Sequence, residues 1–403
     1  MPDHPAADCR NALEPGPAEG CPIDVLTPEM LEQWRSRRST AELAWLDANG
    51  FRARPAQCCL LPGTHGAARV AVGCDPVEPL WSLGDCGRTL PGGLYCLEER
   101  PEGISANDLA LGWALGQYRF DGYRTPAEDG PEPLRRLRVQ EGTTDPKLEA
   151  MLDGIVLARD LINTPAGDMM PEALAGAASH LAARHAARFE ETVGEALLAQ
   201  GFPAIHAVGR ASSHAPRLLD LTWGPEDGPR VTLVGKGVCF DSGGLDLKSA
   251  AGMRLMKKDM GGAAHALGLA AMVMGTGLPI RLRVLVPAVE NAVSGNAYRP
   301  GDVLPSRAGL SIEIENTDAE GRVVLSDALW EGGCERPELM IDFATLTGAA
   351  RVALGTELPA LFCNDDRLAA DLLESGVANV DPICGCPCTG RTGPSSRERS
   401  VTS

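Results

Sequence analysis

The sequence lacks the long apolar segments of a membrane protein and the positive charge of a nucleic-acid-binding protein. It has no run of about 18 apolar residues, and its start, Met1-Pro2-Asp3-His4-Pro5, has neither the basic nor the apolar region of a signal peptide. Lysine and arginine total 37 against 54 aspartates and glutamates, so the formal net charge is −17. This charge argues against a broad surface for a polyanion. We expect a cytoplasmic protein without a membrane partner and without a broad nucleic-acid-binding surface.

Several common catalytic and binding motifs are also missing. The seven histidines form no His-Glu-x-x-His pair, so a histidine-ligated zinc site is not expected. No Gly-x-Ser-x-Gly turn is present to carry a serine nucleophile. Gly235-Lys236-Gly237 lacks the upstream glycine and the following Ser or Thr of a phosphate-binding loop. The thirteen cysteines are scattered, and in a reducing compartment we expect free thiols.

The sequence does contain an alternation of short apolar runs with longer helical patterns, which is typical of an α/β fold. We predict a small N-terminal α/β domain at 1–125 and a polar linker, rich in Pro and Gly, at 126–147. A larger α/β domain is predicted at 148–380, with a mostly parallel or mixed central sheet flanked by helices. Residues 381–403 have no apolar periodicity, and we predict a disordered, aberrant tail there.

The apolar spacing also predicts individual elements. In the smaller domain it predicts one helical patch at 32–49. In the larger domain it predicts helices at 148–163, from Pro171 onward, and at 261–274, 322–330 and 367–373. It predicts strands at 230–234, 280–289, 310–315 and 339–346.

Charged residues are concentrated in otherwise apolar, Gly-rich sequence between Lys236 and Arg322. One cluster occupies 235–248 and continues at 256–262, and the other occupies 316–322. Both lie where a strand ends and a helix begins, which is the edge at which open α/β sheets bind ligands. The acidic residues of interest in these clusters are Asp241, Asp259, Asp318 and Glu320. Four carboxylates at one edge repel one another unless cations neutralise them, so the sequence predicts a site for two divalent metal ions.

The residue types limit which metal ions this site can bind and which roles its lysines can take. Carboxylates suit Mn²⁺, Mg²⁺ or Zn²⁺ better than copper. On an extended segment, Asp318 and Glu320 would project to one face and chelate together. Lys236 and Lys248 lie among these acids. Burial and nearby cations lower the pKa of a lysine, so one of the two can be a neutral ligand, or either can act as a cation beside a substrate oxygen.

Each motif on its own has a simpler interpretation. Asp241-Ser242-Gly243-Gly244 is compatible with a turn in which Asp caps and the glycines supply positive φ. Residues 316–321 are compatible with a helix start capped by Asp318. The occurrence of both motifs in one chain favours the metal site.

Taken together, these segments resemble the leucine aminopeptidases, also called cytosol aminopeptidases, a family of exopeptidases with two metal ions. The run 316–322, Asn-Thr-Asp-Ala-Glu-Gly-Arg, is similar to the family's signature heptapeptide, although Val323 stands where Leu usually follows. Segments 234–248 and 258–262 resemble the family's other metal-binding region. The resemblance extends from about Leu80 to Val380.

The resemblance implies roles for particular residues. It implies two divalent ions, Mn²⁺ or Zn²⁺, held by Lys236, Asp241, Asp259, Asp318 and Glu320. It implies that Lys248 polarises the scissile carbonyl and that Arg322 binds a bicarbonate acting as general base. Positions that match the family's substrate site are Met256, Asn316, Thr345, Leu346 and Gly348. The implied activity is release of N-terminal amino acids, Leu preferred, from peptides with a free N-terminus, by a homohexamer.

The end of the sequence departs from the family pattern. Where the family continues with further strands and helices, this chain has Ile383-Cys384-Gly385-Cys386-Pro387-Cys388 and then aperiodic sequence. A one-base frameshift near Pro382 explains the change, so we expect a catalytic domain that is incomplete at its C-terminus. The alternative function is a catalytically impaired, truncated homologue that acts as a non-enzymatic binding protein or is an unstable product. A basic run at 135–138 is the one candidate DNA contact that we retain.

Overall fold

The chain divides between Asp153 and Gly154 into two units, which we call the N-terminal and C-terminal units. The computed structural model describes residues 9–63, 66–124, 134–139 and 146–387. Residues 125–133 and 140–145 of the predicted linker region, and 388–403 of the predicted tail, lie outside the described residues. None of the helices in the described ranges combines the length and the apolar content needed to span a membrane.

The N-terminal unit is built on one six-stranded sheet. Its elements, in chain order, are β1 (Leu13–Pro15), β2 (Cys21–Leu26), α1 (Pro28–Arg35), α2 (Thr40–Ala48), β3 (Cys58–Gly63), β4 (Gly66–Gly73), α3 (Cys86–Thr89), β5 (Gly93–Glu99), α4 (Ala106–Gly116) and β6 (Arg135–Val139). Short 3-10 helices lie at Cys9–Ala12 and Pro79–Leu83. The strand order is β1-β6-β5-β2-β4-β3, and all pairs are parallel except β3 with β4.

The helical patch predicted at 32–49 is two helices rather than one. α1 ends at Arg35 and α2 begins at Thr40. Ser39 breaks the pattern, because its side chain accepts a hydrogen bond from the backbone N of Glu42 while the Glu42 carboxylate accepts one from the backbone N of Ser39. This capping box starts a new helix.

Strand β6 lies inside the segment 126–147 that the sequence predicted to be a linker, so that prediction was wrong over these residues. The alternation in Arg-Arg-Leu-Arg-Val buries Leu137 and Val139, which is the period of a strand. The arginines make this strand look like an exposed polar segment in the sequence. In the structure, Arg136 and Arg138 form ion pairs with Glu14 at 3.7 and 3.1 Å. The basic run proposed as a DNA contact is therefore partly neutralised within its own sheet.

The C-terminal unit alternates strands and helices. After α5 (Pro146–Asn163), which begins before the unit boundary, its elements are α6 (Pro171–Arg184), β7 (Arg188–Val193), α7 (Ala196–Ala199), α8 (Pro203–Gly209), β8 (Arg217–Trp223), β9 (Arg230–Gly235), β10 (Gly237–Asp241), α9 (Ala250–Met253), α10 (Gly261–Thr276), β11 (Arg281–Asn291), β12 (Val303–Pro305), β13 (Ser311–Glu313), α11 (Glu320–Cys334), β14 (Leu339–Phe343), α12 (Ala349–Leu354), β15 (Ala360–Phe362), α13 (Asp366–Ala378) and β16 (Cys384–Cys386). Further 3-10 helices occupy Ala166–Asp168, Met256–Met260 and Thr317–Ala319.

The central sheet of this unit is mixed and covered on both faces, as predicted. Its order is β14-β9-β11-β8-β7, and β10 pairs with the second half of β11. The pairs β14–β9, β9–β11 and β10–β11 are parallel, whereas β8 runs antiparallel to both of its neighbours. Apolar residues on one face of the sheet pack against α6 and α10, and those on the other face pack against α8 and α11. The predicted strands and helices of the larger domain are confirmed to within a few residues, but the sequence did not predict β7 and β8.

The last described elements contribute little to the core, to which β14 adds only the partly buried Ile341 and Phe343. No described residue from Gly333 to Pro387 is buried, although this stretch contains β14, α12, β15, α13 and β16. The tail predicted to begin at 381 is not free of structure, because Cys384 N donates to Pro359 O at 2.9 Å and β16 pairs in parallel with β15. No local pattern predicts this strand, because two of its three residues are cysteines and the third is glycine.

Candidate metal centre

Lys236 occupies the junction between two central strands of the C-terminal unit. β9 ends at Gly235 and β10 begins at Gly237, so Lys236 lies at the sheet edge where ligands bind in open α/β folds. Its backbone N donates to Phe343 O at 2.9 Å, and its carbonyl accepts from Ala263 N at 2.8 Å. These bonds tie the lysine to β14 and to α10. Its side chain is only 1% exposed.

Two glycines leave room for the Lys236 side chain and its backbone. A Cβ at Gly321 would lie 2.6 Å from Lys236 Nζ. A Cβ at Gly262 would lie 2.1 Å from Phe343 O and 2.8 Å from Lys236 N. Real Cβ atoms do not approach other atoms this closely. Gly262 is therefore required by the backbone around it, whereas a side chain at Gly321 would displace the Lys236 ammonium from its contacts with Asp259 and Glu320.

Three buried carboxylates converge around this lysine. Asp241 ends β10, Asp259 lies in the 3-10 helix before α10, and Glu320 is the first residue of α11. They are 2%, 2% and 1% exposed, and one oxygen from each lies within 4.8 Å of the others. The structure therefore brings together residues that are distant in sequence but that the sequence analysis grouped.

Lysines pair with these acids in two sets. Lys236 Nζ lies 2.7 Å from Asp259 Oδ2 and 2.9 Å from Glu320 Oε1. Lys248 Nζ lies 2.8 Å from Asp241 Oδ2 and also contacts Asp318 Oδ1. The Lys248 side chain is 16% exposed, so it faces solvent more than Lys236 does. All six charged residues predicted to hold metal or to polarise the carbonyl thus belong to two neighbouring contact sets, which the close approach of Asp241, Asp259 and Glu320 brings side by side.

Burial and charge act in opposite directions on these groups. Burial is the largest influence on Glu320 and raises its pKa to about 7, helped by Asp241 and Asp259 and opposed by Lys236. Burial also acts to lower the pKa of Lys236, as the sequence analysis expected, but Glu320 and Asp259 outweigh it and the pKa is raised. The pKa of Lys248 is likewise raised, since hydrogen bonds to Asp241 and Asp318 outweigh its partial burial. In the protein alone, both lysines are therefore cations.

The donor set fits a hard divalent cation. Within the described part of the chain, no group donates a hydrogen bond to the buried Oε2 of Glu320. A buried acceptor left without a donor costs about 1–3 kcal/mol, which a cation would offset. The available ligand atoms are carboxylate oxygens and one amine, which suit Mn²⁺, Zn²⁺ or Mg²⁺. The residues present therefore fit the metal ions that the family implies.

The segment that carries Asp318 differs from the extended form predicted for it. Thr317–Ala319 is a 3-10 helix that leads directly into α11. The turn is capped by Asn316, whose Oδ1 accepts from Asp318 N at 2.7 Å, so the alternative interpretation in which Asp318 is the cap does not hold. Asp318 still reaches the cluster, but by the curvature of the turn and not by the alternation of a strand.

The remaining predicted residues lie around the cluster with different degrees of involvement. Thr345 Oγ1 donates to Asp259 Oδ1 at 2.7 Å and to Asp259 O at 3.0 Å. Arg322 is exposed in the first turn of α11, two residues after Glu320. Met256 is half-buried in the same 3-10 helix as Asp259. Leu346 and Gly348 are exposed in the segment between β14 and α12.

Sequence reasoning missed the residues that hold the two metal-binding segments together. Thr317 Oγ1 donates to Gly243 O at 2.7 Å, and Thr317 N donates to Asp246 Oδ2 at 2.7 Å. Asn291, at the end of β11, donates to both segments. The one available signal was position, because Asn291 lies two residues after the strand predicted at 280–289, at the same sheet edge.

Comparison with known proteins identifies the same family along both units. Residues 156–396 match the family model for the cytosol aminopeptidase family, catalytic domain, and residues 21–132 match that for the M17 aminopeptidase N-terminal domain. A probable cytosol aminopeptidase from Syntrophotalea carbinolica is 42% identical over 307 residues, which cover 72% of this chain and 62% of that protein.

Solved structures give the same result. The cytosol aminopeptidase from Coxiella burnetii matches with a TM-score of 0.87 at 46% identity, covering 94% of this chain and 82% of that one. The bottromycin maturation enzyme BotP in complex with Mn matches with a TM-score of 0.79 at 33% identity, with the same coverage of 94% and 82%. The chain spans 62% of the length of the Syntrophotalea relative. With a catalytic-domain match over more than half of its length, the chain belongs to the cytosol aminopeptidase family.

Proposed function

We propose that this chain is a metal-dependent aminopeptidase that releases N-terminal residues from peptides. The observation that carries the proposal is the buried group of Asp241, Asp259 and Glu320, whose oxygens lie within 4.8 Å of one another around Lys236. A cluster of buried acids is costly unless it binds cations. Membership of a family named for aminopeptidases, and the Mn complex of one structural relative, support the same chemistry.

The acidic cluster would hold two divalent ions. The proposed ligands are Lys236, Asp241, Asp259, Asp318 and Glu320. When bound, such ions supply Lewis-acid activation of a water and of the scissile carbonyl. The raised pKa of Lys236 means that this lysine must lose a proton before its nitrogen can serve as a ligand, so binding at that position is coupled to proton release.

Lys248 and Arg322 supply the positive charges that act on the substrate. The raised pKa of Lys248 keeps it protonated at neutral pH, so we assign it electrostatic stabilisation of the oxyanion rather than proton abstraction. Arg322 is exposed at the N-terminal turn of a 15-residue helix, where its guanidinium is available to an anion such as bicarbonate. Bicarbonate as the general base is a prediction from the family resemblance.

Substrate recognition follows from the same residues. We propose that the free α-amine of the peptide lies near Asp259, whose carboxylate is oriented by Thr345. Met256 would form the floor of an apolar pocket suited to Leu, with Asn316, Leu346 and Gly348 around it. The preference for Leu, the homohexamer and the cytosolic location stay predictions.

Hydrolysis of leucine p-nitroanilide by the purified chain, with Mn²⁺ and bicarbonate, tests the proposal. We expect release of p-nitroaniline that stops when EDTA removes the metal. The matched substrate control is N-acetyl-leucine p-nitroanilide, which lacks the free amine and should not be cleaved. Equal cleavage of both substrates, or no cleavage of either at saturating Mn²⁺, contradicts an aminopeptidase.

One observation favours the second candidate, a catalytically impaired homologue that acts as a non-enzymatic binding protein or is an unstable product. No described residue between Gly333 and Pro387 is buried, and Leu346 and Gly348 of the proposed substrate site lie in that stretch. Chain segments with few buried apolar contacts are locally unstable. Mn²⁺ binding without any hydrolysis of the leucine substrate would favour this candidate.

A further inference from the structure

Asn291 links the two segments that carry the metal ligands. It is the last residue of β11 and is 0% exposed. Its backbone carbonyl accepts from Ser242 N at 3.2 Å and from Ser242 Oγ at 2.7 Å. Its side-chain Nδ2 donates to Asp241 Oδ1 at 2.8 Å and to Thr317 O at 3.0 Å. One buried residue therefore contacts the loop after β10 and the turn before α11.

The orientation of the Asn291 amide follows from its partners. A carboxylate oxygen and a carbonyl oxygen can only accept, so the nitrogen must face Asp241 and Thr317. Both hydrogens of Nδ2 are then used in full. The opposite atom, Oδ1, is buried and accepts no hydrogen bond from the described residues. The two hydrogen bonds that Nδ2 donates therefore fix the orientation of the Asn291 amide.

The two oxygens of Asp241 have different environments as a result. Oδ1 accepts from Asn291 Nδ2 at 2.8 Å and from Gly243 N at 2.9 Å. Oδ2 lies 2.8 Å from the partly exposed Lys248 Nζ. Because two donors already occupy Oδ1, Oδ2 is the oxygen that this carboxylate offers to a cation.

Building on the proposed metal site, we propose that Asn291 is a positioning residue that selects Oδ2 of Asp241 as the metal ligand. It does this by donating to Oδ1, and its second hydrogen fixes the carbonyl of Thr317, next to Asp318. Hydrogen bonds of this kind to a ligating carboxylate typically contribute about 10–100-fold to metal affinity. Tyr298 donates to the same Thr317 carbonyl at 2.6 Å but not to Asp241, so it supports the turn without selecting the oxygen.

The test compares Mn²⁺ affinity, measured by isothermal titration calorimetry, across three variants. Asn291→Leu keeps the branched shape of the side chain, removes both donors and should weaken Mn²⁺ binding by about 10–100-fold. Tyr298→Phe removes only the donor to Thr317 and should change affinity by less than about threefold. Asn296→Leu, the same change at an exposed position, is the control and should leave affinity unchanged.

Thermal unfolding in EDTA separates positioning from a merely structural role. If the Asn291→Leu variant loses stability in EDTA but binds Mn²⁺ as tightly as wild type, the positioning role is wrong while the proposed metal site stands. If wild type binds no Mn²⁺, the proposed function fails, and the inference fails with it. The expected result is a selective loss of affinity at Asn291 with wild-type binding intact.

A measurement on the unaltered protein covers the case in which the Asn291→Leu variant does not fold. Asn291 is the one fully buried asparagine among the described residues, so in a protein labelled with ¹⁵N-asparagine its side-chain amide should resist exchange in D₂O. Adding Zn²⁺ should shift this protected signal, because a cation at Asp241 Oδ2 draws electron density from the Oδ1 that accepts the hydrogen bond. A protected side-chain amide that does not move while Zn²⁺ binds would overturn the proposal.

Discussion

Replacing Lys236 with methionine is expected to lower the free energy of unfolding of the metal-free protein by about 3–5 kcal/mol. Lys236 is 1% exposed and lies within 2.9 Å of oxygens on both Asp259 and Glu320. Methionine keeps much of the length of the side chain but removes the charge, so two buried carboxylates lose their shared cation. Chemical denaturation in EDTA measures the loss.

Lys258→Met is the matched control for this change. Lys258 Nζ contacts the same acid, Asp259, at 2.9 Å, but its side chain is 41% exposed. An exposed ion pair contributes only about 0–1 kcal/mol, so the control should lose far less stability. Equal losses in the two variants would contradict the view that burial of Lys236 is what makes it essential.

The penalty at Lys236 should also depend on pH. Burial raises the pKa of Glu320 from 4.5 to about 7, so folding favours its protonated form. Its contribution to metal-free stability is therefore fully present below about pH 4.5 and is lost as the pH rises through about 7. The difference between wild type and Lys236→Met should accordingly be smaller at pH 5 than at pH 8, because a protonated Glu320 needs no cation.

Replacing Lys248 with methionine is expected to lower kcat by about 10²–10³-fold while Mn²⁺ binding is kept. In the proposed mechanism, Lys248 is the cation nearest the developing oxyanion. Its contacts with Asp241 and Asp318 hold its pKa above the ordinary value, so it is charged throughout the assay range. Since Lys248 occupies carboxylates that the metal uses, its removal should leave Mn²⁺ affinity equal or higher.

The control for this variant is Lys257→Met. Lys257 Nζ donates to the carbonyl of Asn163 at 2.5 Å and touches none of the acidic cluster, so its kcat should stay within about twofold of wild type. Steady-state kinetics at saturating Mn²⁺ makes the comparison. A Lys248→Met protein with the kcat of wild type would remove Lys248 from the mechanism.

Most of the larger unit could be predicted from the sequence because its central elements are apolar and strongly periodic. The run Thr232 to Val234 is buried as expected for a strand between two others, and α10 and α11 fall where apolar spacing placed them. β6 was not predicted, because charged arginines alternate with the buried Leu137 and Val139. β16 forms because it pairs with β15, and no local sequence pattern predicts that contact.

The acidic cluster could be predicted as a set, but its geometry could not. Asp241, Asp259 and Glu320 could be predicted because they lie in apolar sequence where strands end and helices begin. Buried carboxylates there are costly unless they bind cations. Thr317–Ala319 was expected to be extended. It forms a turn instead, because the Asn316 side chain caps it by accepting a hydrogen bond from Asp318 N. The bonds made by Asn291 depend on the register of β10 with β11, which pairs it with Asp241.

The count of Mn²⁺ ions bound per chain tests the central claim most directly. The purified chain is dialysed to equilibrium against Mn²⁺ and the bound metal is measured by mass spectrometry, with Asp259→Asn in parallel. We predict two ions per wild-type chain and fewer in the variant, because Asp259 is one of the three buried carboxylates. A folded wild-type chain that binds no Mn²⁺, or that binds the same amount as Asp259→Asn, would contradict the assignment of this cluster as the metal centre.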